Sequence, residues 1–278
     1  MVYVHDCNFN VKSFGMRAME WQTNGGLISH CNFVSTEKQD VSGIAFKNPG
    51  SDSAWSEPST LGMSGDPEGT KNTYVEDCTF KDVYLQVMDF DDNSRTVIRH
   101  CLFDNSGLSS HGQDTSPVGL REFELYDNQF IFTRGGDCNP NPYPLNLNYW
   151  FYVRGGTGVI TDNVFPAISS CAWGTKPSVT LTVYNIRRSS AYIPCQTRYP
   201  AARQIGQGPD GRTDPLYIWN NSGDGAGNIS LKNYDPDDCG NNQQVANYLK
   251  EGRDYMLAQR PNYQKFTYPH PLRRHSIR

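Results

Sequence analysis

Two carboxylates separated by one residue, Asp89 and Asp91 in the stretch Met88-Asp89-Phe90-Asp91, are the first groups in this chain whose types and spacing could do chemistry. If the stretch is a strand, both side chains leave the same face roughly 7 Å apart, inside the separation that suits the acid and base of inverting glycoside hydrolysis. Lys47 and Arg154 supply cations of the kind that could abstract a proton or neutralise a carboxylate. His111, in the small-residue segment Ser109-Ser110-His111-Gly112-Gln113-Asp114, can titrate near neutrality and serve as acid or base. Asp89, Asp91, His111, Lys47 and Arg154 are therefore the expected catalytic set. Glu20, Gln22, Asp92, Asp114 and Tyr152 are expected to bind substrate beside them. Trp55 in a polar loop could offer a ring to a sugar face, and Arg187 and Arg188 could hold a uronate or sulfate. Asp89, Asp91 and Asp92 could also hold calcium through oxygen, although their spacing is not specific for it. The bland alternatives are a solvated surface with paired charges, a structural histidine and an arginine pair that ties down a loop.

Such residues converge only if the chain stacks them. One phrase of six residues recurs: VHDCNF at 4–9, ISHCNF at 28–33, VEDCTF at 75–80, IRHCLF at 98–103, LYDNQF at 125–130 and ITDNVF at 160–165. Steps of about 23 residues read as single coils, and longer steps contain insertions such as 48–72 and 137–144. Within each phrase an aliphatic or Tyr residue precedes a polar pair, then Cys or Asn, then an aromatic. Equivalent residues would stack about 4.8 Å apart, and Asn suits a sharp bend because it tolerates left-handed backbone angles. A second strand precedes each phrase, as in Met19-Glu20-Trp21-Gln22, Ile44-Ala45-Phe46-Lys47 and Phe151-Tyr152-Val153-Arg154. Alternation puts Met, Trp, Ile, Phe and Val inside and Glu20, Gln22, Lys47, Asp89, Asp91, Tyr152 and Arg154 on one outer strip. Glu20, Lys47, Asp89 and His111 are then expected on successive rungs, with a cation between two carboxylates.

The repeated phrase and its Asn position resemble the pectate-lyase-like (pectin-lyase-fold) parallel β-helix superfamily over residues 1–222, with Cys in place of Asn in the first four rungs. The resemblance implies an all-β, single-stranded right-handed parallel β-helix with long loop insertions. In polysaccharide lyases of this superfamily an Arg or Lys takes the proton beside a uronate, with calcium or another cation on its carboxylate, and Lys47 and Arg154 match those types. A partial echo of polygalacturonase-type hydrolases runs through Asp91-Asp92, Ser110-His111-Gly112 and Val153-Arg154-Gly155; Ser110 departs from that pattern, as does the absence of a Lys after Arg154.

Residues 223–278 change character. Val245, Tyr248 and Leu249 have helical spacing, and 262–272 reads as an extended aromatic strap; both are expected to cap the final rung of the same domain. With 278 residues, 37% hydrophobic and 19% charged, rich in Gly and Tyr, the chain can bury a sizeable core. A net charge of −4 gives no attraction to phosphate backbones, so nucleic acid is not an expected partner, and no apolar run is long enough for membrane insertion. Cys7, Cys31, Cys78 and Cys101 are expected as packed thiols. Cys138, Cys171, Cys195 and Cys239 lie in loops where an oxidising compartment would favour two bridges, with Cys138 to Cys171 the first guess. The expected function is an extracellular lyase or glycoside hydrolase acting on an extended, acidic polysaccharide, its export signal and upstream residues absent from this sequence. The rival reading is a non-catalytic β-helix serving as adhesin, fibre or virion spike, with homo-oligomers or end-to-end stacking.

Overall fold

In a computed structural model, which describes residues 2–12, 17–36, 42–48, 52–83, 86–133, 149–168, 176–233 and 237–275, the strands are short and the chain visits three sheets in turn. Among the described residues the sheets hold eight, five and seven strands, and every strand pair is parallel. The first sheet runs from Tyr3–His5 through Gly26–Ser29, Thr73–Glu76, Arg95–Arg99, Glu122–Tyr126, Thr157–Thr161 and Leu216–Trp219 to Tyr255–Met256. The second stacks Asn8–Asn10, Asn32–Val34, Thr79–Lys81, Leu102–Asp104 and Gln129–Ile131. The third stacks Arg17–Trp21, Ser42–Phe46, Gln86–Phe90, Leu108–Ser110, Tyr149–Val153, Ser178–Leu181 and Ile229–Leu231. This alternation of sheets is consistent with a parallel β-helix.

The repeat places its residues in columns. Phe9, Phe33, Phe80, Phe103, Phe130 and Phe165 follow one another with ring centroids 4.6, 4.8, 5.2, 4.6 and 4.8 Å apart, close to the spacing of adjacent strands. Ile28, Val75, Ile98, Leu125 and Ile160 form a parallel buried column in the first sheet. Between them run the free thiols Cys7, Cys31, Cys78 and Cys101 and then the amides. Asn163 Oδ1 accepts from Asn128 N and Nδ2 at 3.1 and 3.0 Å, and Asn221 Oδ1 accepts from Asn163 N and Nδ2 at 3.0 Å each. The ladder thus continues into Asn221, one coil beyond the last of the six phrases.

One detail of the bend differs from the sequence reading. The left-handed residue is not the Cys or Asn but the one before it: Asp6, His30, Asp77, His100, Asp127, Asp162 and Asn220 all have φ between 49° and 55°. Short polar side chains bear that conformation best after Gly. The Cys or Asn that follows is freed to point inward and bond its neighbours.

The C-terminal segment also departs from a simple end cap. Strand pairing crosses position 222, because Ile229–Leu231 joins the third sheet and Tyr255–Met256 the first. Val245, Tyr248 and Leu249 are buried in the main hydrophobic core. The strap does not stay at the final rung; it runs back along the outer face of the first sheet. Tyr263 donates to Glu124, Arg99 donates to the carbonyls of Phe266 and Thr267 at 2.8 and 2.9 Å, and Arg273 reaches Asp77 at 2.6 Å. The face has to be covered, since Arg99, Glu76, Arg95 and Glu122 are buried there as ion pairs, and unpaired buried charges are costly.

Candidate functional site

The outer face of the third sheet carries the expected strip. In the strand Gln86–Phe90, Met88 and Phe90 enter the core while Asp89 turns outward, with 1% exposure. Asp91 follows at the strand end, where its N–H still bonds Phe46 O at 3.0 Å and its own carbonyl accepts Ser94 N at 2.9 Å. One coil on, the short strand Leu108–Ser110 delivers His111, whose N–H continues the ladder onto Phe90 O at 2.8 Å.

The result is a cluster around one imidazole. His111 Nδ1 lies 2.7 Å from Asp89 Oδ1 and 3.8 Å from Asp91 Oδ2. The two carboxylates therefore do not stand apart across a water, as the inverting arrangement needs; the ring sits between them. Burial pushes the Asp91 carboxyl above its usual range. The charges of Asp89 and Asp92 add to the rise, while His111 and a hydrogen bond from Ser116 oppose it. Nε2 is the ring's other acid–base atom, and the Asp91 carboxyl near Nδ1 is inclined to hold its proton.

Arg154 lies next to this cluster. Its Nη1 pairs with Asp114, Nη2 is 3.5 Å from Ser109 Oγ, and its backbone N–H donates to Ser110 Oγ at 3.0 Å. Burial would lower the guanidinium's pKa, but Asp114 and its other neighbours outweigh this and hold it above the usual value. The loop carrying Asp114 closes through Gly119, whose φ is +69° and whose added Cβ would stand 2.8 Å from Gly112 C. Leu120 N returns to His111 O at 2.9 Å. Tyr152 covers Arg154, ring centroid 5.3 Å from the guanidinium carbon, and stacks on Tyr149 at 5.2 Å.

The remaining expected residues fall in three places. Glu20 and Gln22 lie on the same face, bonded to each other at 2.5 Å; that bond, with nearby Lys47 and Arg17, holds the Glu20 carboxyl below its usual range against a smaller effect of burial. Lys47 is half-buried, but it is not on the column between Glu20 and Asp89. The register runs Glu20–Ala45–Asp89–Ser109–Tyr152, so Ala45 occupies the place expected for a cation. Lys47 belongs one pleat further on, its N–H bonded to Trp21 O at 2.8 Å. Asp92 sits in the turn after Asp91 with φ 34°, its carbonyl accepting Asn48 N at 2.7 Å. Arg187 is buried; half-exposed Arg188 pairs with Asp238 at 3.3 Å beside the Cys195–Cys239 disulfide, the loop-tying alternative.

Trp55 is a correction. It is 4% exposed, donates to Leu120 O at 3.2 Å and is flanked by Arg121 and Arg203, 5.3 and 5.0 Å from its ring. A loop rich in polar residues has folded back, and the indole is used for packing, not for a ligand. Among the described residues no group of three or more His, Cys, Asp or Glu is arranged to hold a metal. The bridge first guessed, Cys138 to Cys171, lies outside the described residues.

The sequence reading passed over Arg17, which reaches Glu20 Oε2 at 3.1 Å and Asp89 Oδ2 at 3.6 Å. Alternation gives Arg17 the inward parity of Met19, yet its guanidinium reaches the outward-facing Glu20 and Asp89. Ser116 was passed over too, although it lies in the same segment as His111 and Asp114. No protein-family model matches the chain, and neither curated proteins nor solved structures give a match.

Proposed function

We propose that this chain is an extracellular polysaccharide-active enzyme, a lyase or glycoside hydrolase of pectin-lyase-like, right-handed winding. The carrying observation is the imidazole of His111 set 2.7 Å from buried Asp89 on the outer face of a long parallel sheet. With a carboxylate this close to Nδ1, Nε2 is the ring atom left to take or return a proton at a bound sugar. Asp91, with its raised pKa, is the second proton-handling group. Arg154 and Lys47 are the cations beside developing negative charge, and Tyr152 lends a ring to a sugar face. An extended glycan suits a face along which Glu20, Asp89, Ser109 and Tyr152 stack on neighbouring strands.

Two coarser features support the rest of the reading. Parallel strands joined by a crossover are right-handed in nearly all proteins. The Cys195–Cys239 bridge suits an oxidising compartment. The test is incubation with a panel of polyuronates and neutral glycans, following absorbance near 235 nm alongside reducing ends. New absorbance identifies a lyase, and reducing ends alone identify a hydrolase. Silence across a broad panel sinks the enzymatic reading and leaves the adhesin, fibre or spike.

A further inference from the structure

Near its end the strap carries a histidine whose two ring nitrogens are both spent on backbone groups. Leu272 N–H lies 3.2 Å from His270 Nδ1 and can only donate, so Nδ1 accepts and the ring proton sits on Nε2, 3.4 Å from Gly69 O. The His270 amide donates to Glu76 Oε2 at 3.2 Å, and its carbonyl accepts Arg273 N at 3.0 Å. Its ring centroid is 4.3 Å from that of Tyr74, and the residue is 4% exposed. His270 thus joins three parts of the molecule: the end of the strap, the strand Thr73–Glu76 and the loop before that strand. Only a neutral imidazole can make both ring contacts, because a proton on Nδ1 would set donor against donor.

We propose that His270 is an acid-released latch: with its ring neutral it fastens the end of the strap to the first sheet, and a proton on Nδ1 frees that end while the Tyr263 end stays docked. The groups facing the ring are Tyr74 and Glu76 from Thr73–Glu76, Arg99 from the next strand, Asp66 and Glu68 from the loop, and Arg273 from the strap itself. Glu76 and Asp66 would favour a charged ring, but neither bonds it. Glu76 is taken by Arg99, Arg273 and the His270 amide, and Asp66 by the amides of Thr70, Lys71 and Asn72. Burial outweighs the pull of Glu76, Gly69 O and Asp66 and, with Arg99, holds the imidazole below its usual pKa. A group lowered in this way contributes stability that is whole above its unfolded value, about 6.5, and is lost as pH falls below it. The other end of the strap is held differently: Gln264 O accepts Met63 N at 3.0 Å, and Lys265 Nζ is 2.7 and 2.6 Å from Asp127 and Asp162. Release would uncover Tyr74, Glu76 and Arg99 on the first sheet, and it does not depend on the enzymatic reading of the third.

Two further imidazoles meet this half of the strap: His30 Nε2 accepts from Arg273 Nη2 at 3.0 Å, and the His100 ring is 3.7 Å from that of Tyr268. The experiment that separates them from His270 is amide hydrogen exchange with histidine-ring NMR on the full chain, from about pH 7.5 to about pH 5. Protection of the His270, Leu272 and Arg273 amides, corrected for intrinsic rates, should fall by about tenfold or more, while Met63, whose amide reports the other end, stays within about twofold. The His270 ring midpoint should lie below about 6.5 and coincide with that fall. His270→Asn offers Oδ1 to Leu272 N–H in place of Nδ1 and takes up no proton, so its protection at Leu272 and Arg273 should be alike at both ends of the range. A His270 midpoint at or above the unfolded value overturns the latch, and so does protection that fails to follow the ring. An acid loss in His270→Asn as large as the parent's overturns it too, passing the role to His30 or His100. Should His270→Asn be unlatched throughout, the match or mismatch of the two parent curves decides alone.

Discussion

At the scale of single residues, both sheets carry buried ionisable groups on their outer faces. On the third sheet Asp89, Asp91, Asp114 and Arg154 lie largely buried around His111, which keeps 13% of its side chain exposed; on the first sheet Arg99, Glu76 and Glu124 are sealed under the strap. For the His111 cluster, Asp89→Asn and His111→Gln should each cut turnover of an active glycan by about 100-fold or more with an unchanged circular dichroism spectrum. Retained turnover in either would remove His111 from the chemistry. For the sealed face, Glu124 is the telling residue. It is fully buried, accepts Gly62 N at 2.6 Å and takes a bond from the Tyr263 hydroxyl; burial pushes its carboxyl up to about 8, against the pull of those two bonds. A carboxyl raised in the folded state contributes stability that is intact below its unfolded pKa and is lost as pH climbs toward the folded value. Denaturation from pH 4.5 to 8 should therefore show falling stability, on the order of 4 kcal/mol from this group. Glu124→Gln, a neutral isostere, should flatten that part of the curve, and an equally steep decline in the variant would show that the slope comes from elsewhere.

At the scale of the element, the unit that counts is the column, not the strand. Strands of two to five residues have little stability alone, but Phe33, Phe80, Phe103 and Phe130 each touch the ring above and below. Phe103→Ala removes a fully buried ring from the middle of that stack and should cost about 3–5 kcal/mol in urea unfolding. The amide ladder makes a different demand. Asn163→Ala strips the acceptor from Asn128 N and the donor from Leu125 O, leaving buried backbone groups unsatisfied at about 1–3 kcal/mol. If Asn163→Ala were neutral, water or a shifted backbone would have to be replacing the ladder. Both column residues were legible in the sequence because a repeat announces which positions are equivalent. The bend was legible as a place but was assigned to the wrong residue, since a sequence shows that Asp-Cys or Asp-Asn recurs without showing which of the two takes φ near 55°.

At the scale of the molecule, the strap ties rungs far apart in sequence: Lys265 bridges Asp127 and Asp162, and Arg273 reaches Asp77. It acts as a brace along the axis, and stacked repeats otherwise contact only their neighbours. Ending the chain after Gln259 would expose buried Arg99, Glu76 and Glu124 to water and remove the carbonyls that Arg99 bonds. The truncated protein should melt at least about 5 °C lower and be cut faster by protease within 57–76. An unaltered melt would mean that the strap is a passenger.

The sequence by itself determined the stacking, the inward and outward faces and the strip that carries Asp89, Asp91, His111 and Arg154. A periodic pattern of apolar residues has one way to bury them all, and it leaves the polar partners on the other side. What only the tertiary structure decided was how columns register against one another and what covers them. Ala45 lies opposite Asp89 where Lys47 was expected, Arg17 turns outward against its parity, Trp55 is buried under Arg121 and Arg203, and the strap chooses the first sheet. Those outcomes depend on loop lengths and corner geometry, which shift a side chain by one pleat without changing any local preference.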